Sequence, residues 1–102
     1  MGIESNQELL RQELRRRYGV EPVSVRFVFA PYRICPLGAH IDHQLGQVTA
    51  LAIDRGVLLA YAPAANREVR LGSLEYPGDI RFPLCRPGAA QRGNWGNYAR
   101  GA

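Results

Sequence analysis

The N-terminal stretch carries apolar residues on a helical period. Leu10, Leu14 and Tyr18 fall at i, i+4 and i+8 with Leu9 beside them, and polar or charged residues fill most other positions. Ser5 followed by Glu8 fits a capping box, and Gly19 is a good stop, so the spacing predicts a helix over 6–18. Beyond Gly19 the period changes to two. Val23, Val25, Phe27 and Phe29 alternate with Ser24 and Arg26, the pattern of a strand with one buried face. Pro31 and Pro36 then interrupt regular structure. Val48–Ile53 and Val57–Ala62 are nearly continuous apolar runs joined by Asp54-Arg55-Gly56, which reads as a hairpin with a short glycine-containing connector. Val69 and Leu71 alternate with Glu68 and Arg70, and Tyr76-Pro77-Gly78-Asp79 has Pro and Gly where a type II turn wants them. Ile80, Phe82 and Leu84 alternate with Arg81 and Pro83, as in an edge strand. Asn94 is placed to cap a second helix opening with Trp95-Gly96-Asn97-Tyr98-Ala99-Arg100.

These elements predict an α+β fold: one N-terminal helix packed on a mixed, mostly antiparallel sheet. Strands apolar on both faces need cover on both sides, which 102 residues only partly supply. The second helix has only about eight residues, marginal without a packing partner, yet it carries Trp95 and Tyr98. The expectation is therefore a single, incomplete domain over 1–102, an N-terminal piece of something longer. Its open apolar surface and sheet edges predict a homodimer or higher assembly.

Composition narrows the setting. The hydrophobic content of 46% suits a globular protein. No apolar run approaches the roughly 18 residues of a membrane span, and Met1–Glu8 holds no apolar signal core. A cytoplasmic protein without a membrane partner is expected. Cys35 and Cys85 form neither metal-type spacing nor a disulfide framework, so two reduced thiols are expected. The net charge is +4 and all thirteen basic residues are Arg. The run Arg15-Arg16-Arg17 falls in the last turn of the predicted helix, where cations complement the dipole. No cluster of aromatics interleaved with Arg lies outside the core strands, so nucleic-acid binding is only a minor alternative.

Candidate chemistry concentrates between the strands, in Ala30-Pro31-Tyr32-Arg33-Ile34-Cys35-Pro36-Leu37-Gly38-Ala39-His40-Ile41-Asp42-His43. Charged and hydrogen-bonding groups gathered in one loop usually face a polar ligand. Taken singly, each residue has an ordinary reading: Arg33 as a surface ion-pair partner, Asp42 in an Asx turn, His40 as a satisfied loop histidine. His40, Asp42 and His43 with Cys35 are residue types that suit Zn²⁺, but no second cluster completes four ligands, and no metal is expected on these residues.

This segment resembles the first signature of the galactokinase branch of the GHMP small-molecule kinases, which typically reads Gly-Arg-x-Asn-x-Ile-Gly-Glu-His-x-Asp-Tyr. The same frame here is Tyr32 to His43, within a signature region of about 30–46. Val28-Phe29-Ala30-Pro31 before it and Gly46–Ile53 after it are similar to the family's strand–loop–strand layout. Trp95-Gly96-Asn97-Tyr98-Ala99-Arg100-Gly101 resembles its Trp-x-Asn-Tyr-x-x-Gly. Within the branch the likeness is greatest to galacturonokinases. The resemblance implies the GHMP N-terminal fold, shared in type with a ribosomal protein domain, and a parent enzyme that phosphorylates the anomeric hydroxyl of galacturonate or galactose with ATP and Mg²⁺. It leaves arabinose and glucuronate open.

The resemblance also assigns roles. Arg33 would lie by the reacting hydroxyl and the transferred phosphoryl group, Asp42 would accept hydrogen bonds from ring hydroxyls, and His40 would hold the sugar or shape the loop. Ala39 stands where galactokinases carry a Glu that meets the sugar 6-hydroxyl. A carboxylate substrate group about 5 Å from such a Glu would cost roughly 3 kcal/mol at an effective dielectric near 20, and Ala39 removes that repulsion. His43, in place of Tyr, adds a donor nearby. Trp95 is implied near the nucleotide, with core packing as its plainer use. The family's Gly-rich phosphate loop is missing, since the chain has no Gly-x-Gly. The chain alone is thus expected to be inactive and without bound cofactor. The alternatives are a non-catalytic sugar-binding or sensor module and, less favoured, a nucleic-acid-binding domain.

Overall fold

In the computed structural model, which describes residues 2–38 and 40–102 apart from the Asp42 side chain, helix α1 spans Ile3–Tyr18. It starts ahead of the expected capping box. Gly2 is the extended N-cap, with no side-chain hydrogen bond, so Ser5 already has helical geometry and cannot cap. Glu8 turns instead to the next turn of the helix, accepting from Arg11 at 3.4 Å and Gln12 at 3.1 Å. Leu10, Leu14 and Tyr18 are half-buried as the period predicts, whereas Leu9 is exposed. Arg15, Arg16 and Arg17 occupy the last turn. Glu13 accepts two bonds from Arg16, at 2.9 and 2.8 Å, and one from Arg17 at 2.7 Å. The Arg16 hydrogen bond, helped by Arg17, holds the Glu13 carboxyl down at about 2. The helix closes at Gly19 (φ 68°), whose N–H donates to the Arg15 carbonyl at 3.0 Å.

The strand expected from Val23 begins later. Pro22–Ser24 forms a 3-10 turn, with Ser24 and Val25 N–H groups bonded to Glu21 and Pro22 carbonyls at 2.9 and 3.3 Å. Val23 consequently faces water and Val25 is buried. Strand β1 then runs Arg26–Ile34, straight through Pro31. A two-stranded ladder leaves one edge unpaired, where a missing N–H costs no bond. Its partner is β2, Leu51–Tyr61, antiparallel in register Arg26↔Tyr61 to Pro31↔Gly56 and then Arg33↔Ala52 and Ile34↔Leu51. Asp54-Arg55-Gly56 is therefore not a hairpin connector but lies inside one continuous strand.

Helix α1 packs on β2. On the helix side lie half-buried Phe27, Leu58 and Ala60, with the Arg11 guanidinium 4.9 Å from the Phe27 ring centre. Val28↔Leu59 and Ala30↔Val57 share the opposite side, and Val28, Val57, Leu59 and Tyr61 are exposed there.

These elements form a first unit, ending at Ala62; Pro63–Ala102 form a second. In the second, β3 (Glu68–Leu71) pairs antiparallel with β4 (Ile80–Pro83), and Glu68 accepts from Arg81 across the ladder. The expected alternation holds for Ile80 and Phe82, which are 5% and 7% exposed and form the unit's core, whereas Leu84 falls past the end of β4 and is exposed. Gly78 has φ 83°, as the predicted turn requires. The second helix, α2, covers only Asn97–Gly101. Asn94 does not cap it. Its Oδ1 accepts from the Gly96 N–H at 2.8 Å, closing the turn before the helix. Trp95 stacks on Tyr76, ring centres 6.1 Å apart, and its Nε1 donates to the Pro77 carbonyl at 3.1 Å.

The α+β class and the antiparallel pairing agree with the sequence reading, the sheet being divided into two two-stranded ladders among the described residues. No helix of the described residues is long and apolar enough to cross a membrane.

Candidate functional site

The end of β1 and the loop that returns to β2 carry the candidate residues. Two sets of bonds shape this loop. At its stem, the Leu37 N–H donates to Thr49 Oγ1 and the Thr49 N–H donates to the Leu37 carbonyl, both at 3.0 Å. The Cys35 thiol points to the same carbonyl at 3.2 Å. Further out, the Ile41 carbonyl accepts from the N–H groups of Gln44 (3.1 Å) and Gly46 (3.0 Å), around a 3-10 turn at Asp42–Gln44.

The backbone geometry makes this closure specific. Gly38 has φ 86°, and a Cβ there would lie 2.6 Å from the Gln47 carbonyl oxygen and 2.9 Å from Val48 Cγ1. Only glycine lets the two limbs approach this closely. Leu45 is left-handed at φ 61° and 96% exposed. That conformation costs an L-residue roughly 1–2 kcal/mol, and the Gly46–Ile41 bond beside it offsets part of the cost.

The predicted residues fall on this frame as follows. Arg33 is the penultimate residue of β1 and is exposed, and no hydrogen bond or ion pair ties its side chain to another described residue. Opposite Tyr32, the residue just before it, β2 carries Ile53, Asp54 and Arg55, so one residue on β1 faces three on β2. His40 and His43 are exposed, the first in the turn after Gly38 and the second within the 3-10 turn. The Asp42 backbone lies in that same turn, while its side chain lies outside what is described. Ala39 also lies outside the described residues. Trp95 belongs to the second unit, where its contacts are with Tyr76 and Pro77.

Chemically, this is a permanently charged guanidinium at a strand end followed by a pinned loop bearing two imidazoles. Such groups recognise hydroxyl-rich or anionic small molecules, Arg through its planar fork and His as donor or acceptor. The sequence reading missed Thr49, the clasp, and the widened stretch of β2. A hydroxyl inside the apolar run Val48–Ile53 was the one visible sign of the first.

Comparison with known proteins agrees with the chemistry. A family model described as the galactokinase galactose-binding signature matches residues 12–63. The chain is 38% identical to a galacturonokinase of Arabidopsis thaliana, over 91% of this chain and 26% of that protein. It is 30% identical to a galactokinase of Actinobacillus pleuropneumoniae serotype 5b (strain L20), over 93% of this chain and 24% of that one. A galactokinase of Roseiflexus sp. (strain RS-1) is 33% identical over 90% of this chain and 23% of its own length. The chain thus spans about a quarter of the length of these curated relatives. No solved structure matches it.

Proposed function

The chain belongs to the family marked by the galactokinase galactose-binding signature, and on that premise we propose that it forms the sugar-binding wall of an ATP-dependent GHMP-type sugar 1-kinase acting on galacturonate. The observation that carries the substrate choice is Ala39, in the family's Glu position of a loop that keeps the signature's Arg33, Gly38, His40 and Asp42. A carboxylate at that position would face the ionised acid of galacturonate. At about 5 Å the repulsion is roughly 3 kcal/mol, or about a hundredfold in relative transition-state binding, at an effective dielectric near 20. The 38% identity to a protein named galacturonokinase supports the same reading.

In this proposal the chain's own residues bind and orient. Arg33 faces the phosphoryl group in flight and lowers the energy of its developing charge. His40, His43 and Asp42 hold the sugar, and the Leu37–Thr49 clasp keeps their loop in one shape. ATP with Mg²⁺ supplies the phosphoryl group and neutralises its charge when bound. The chain has no Gly-x-Gly to cradle phosphates, so it offers only Arg33 toward that group. We therefore propose that the chain by itself does not turn over, and that it works in the cytoplasm as part of a kinase-length protein.

The test is sugar-dependent ATP consumption by the kinase-length protein carrying this chain, wild type against Ala39→Glu. The expected result is galacturonate turnover in the wild type, and a swing of about a hundredfold toward galactose in the variant. Galactose preferred by the wild type, or a preference untouched by the substitution, would sink the assignment.

A further inference from the structure

Gly56 and the widened stretch of β2 beside it are tied to Arg33 by geometry rather than by chemistry. Between the pairs Pro31↔Gly56 and Arg33↔Ala52, the β2 residues Ile53, Asp54 and Arg55 stand opposite Tyr32 alone. A bulge of this kind bends its strand and re-aims the side chains around it. Here it lies immediately before Arg33. At its lower end the two backbones are pressed together. A Cβ on Gly56 would collide with the Ala30 carbonyl oxygen and come within 2.6 Å of Pro31 Cα. Both atoms are backbone, so no rotamer change relieves the clash. The neighbouring β2 residues Val57 and Leu58 pair with Ala30 and Phe29 in an ordinary ladder, so the close approach is local.

We propose that Gly56, by allowing β1 to lie against β2 at Pro31, and the Asp54-Arg55 insertion beside it together position Arg33. Gly56 is a positioning residue: it touches no substrate and acts through the strand that carries the guanidinium. The inference rests on the sugar-kinase reading for its kinetic consequence, but not for its structural one. Asp54 and Arg55 are the two extra residues that offset the two halves of the ladder. Deleting them brings Pro31 and Arg33 into a single unbroken register with β2. That deletion removes the bulge while preserving the pairing, a cleaner perturbation than a side chain forced into a closed gap.

The experiment uses two variants, Gly56→Ala and the deletion of Asp54 and Arg55, with two readouts. In the first, nuclear Overhauser contacts across Arg33↔Ala52 and Phe27↔Ala60 are measured in the full chain. The expected result is that Gly56→Ala weakens the Arg33↔Ala52 contact, that the deletion keeps it and adds a direct Tyr32–Ile53 contact as the bulge closes, and that Phe27↔Ala60 stays in both; an unchanged Arg33↔Ala52 contact in Gly56→Ala, or no Tyr32–Ile53 contact in the deletion, would overturn the proposal. If Gly56→Ala does not fold, the deletion alone decides this arm.

In the second, kcat and KM are measured in the kinase-length protein. A displacement near 1 Å is expected to lower kcat by roughly a hundredfold, with KM for the sugar held within about threefold. No further loss is expected when Arg33 is already Ala. Losses that multiply with Arg33→Ala, or a kcat equal to wild type, would overturn it. If the wild-type protein phosphorylates no sugar, the sugar-kinase reading fails, and the contacts at Arg33 alone decide whether Gly56 positions it.

Discussion

Gly38→Ala probes whether the loop is held in one shape by its stem. The substitution meets two obstacles. At φ 86° an L-residue pays about 1 kcal/mol or more. The new methyl would also sit 2.6 Å from the Gln47 carbonyl oxygen and 2.9 Å from Val48 Cγ1, so the limbs must part. Parting breaks the two Leu37–Thr49 bonds at 3.0 Å, each worth about 0.5–1.5 kcal/mol net. The sum is about 3 kcal/mol, or roughly a hundredfold in the opening equilibrium. Amide hydrogen exchange reads this directly. The Thr49 N–H should lose about two orders of magnitude of protection, while the amides of Arg26–Ala30 keep theirs. Gly78→Ala is the control: φ is 83°, but no atom lies within 4 Å of the added methyl, and it belongs to the second unit. It carries the dihedral cost and should leave Thr49 alone. A Gly38→Ala chain whose Thr49 amide exchanges at the wild-type rate would refute the clasp.

Three further outcomes follow from the packing. Glu13 keeps its charge down to about 2 instead of its ordinary 4.5, so its pairs with Arg16 and Arg17 contribute fully above pH 4.5 and are lost as pH falls toward 2. Helicity followed by circular dichroism should show this loss in wild type and not in Glu13→Gln, and identical acid profiles would contradict it. Phe82→Ala empties the core of the second unit at a residue 7% exposed. A cost of about 3–5 kcal/mol should unfold that unit by near-ultraviolet dichroism at Tyr76 and Trp95; an unchanged signal would count against that core. The exposed side of the β1–β2 ladder, with Val28, Val57, Leu59 and Tyr61, should drive the chain to self-associate, and a monomer by light scattering at working concentration would contradict this.

Much of the fold was legible because burial follows period. Leu10, Leu14 and Tyr18 on the helix, and Ile80 and Phe82 on β4, take the places their spacing predicts. Local signals misled where a residue's chemistry suits two structures. Ser5 and Glu8 can form a capping box, but a helix that starts at Ile3 leaves Ser5 inside it. Asp54-Arg55-Gly56 has the composition of a turn, and only its pairing with β1 shows it to be a bulge and a close approach. Asn94 closes the turn before its helix rather than the helix itself. In the site, residue types were visible and dihedral angles were not. Arg33, His40 and His43 could be picked out as chemistry. Leucine does not advertise a left-handed conformation at position 45, and a threonine in an apolar run does not announce a clasp.

Phosphorylation of sugars in direct competition tests the central claim most closely. The kinase-length protein carrying this chain is given ATP with an equal mixture of galacturonate and galactose, and the sugar phosphates are separated and counted. Galacturonate 1-phosphate is expected as the main product, because with Ala39 in place of the family's Glu no carboxylate opposes the acid group of the sugar. Galactose 1-phosphate as the main product would contradict the substrate reading, and no sugar phosphate at all would contradict the function.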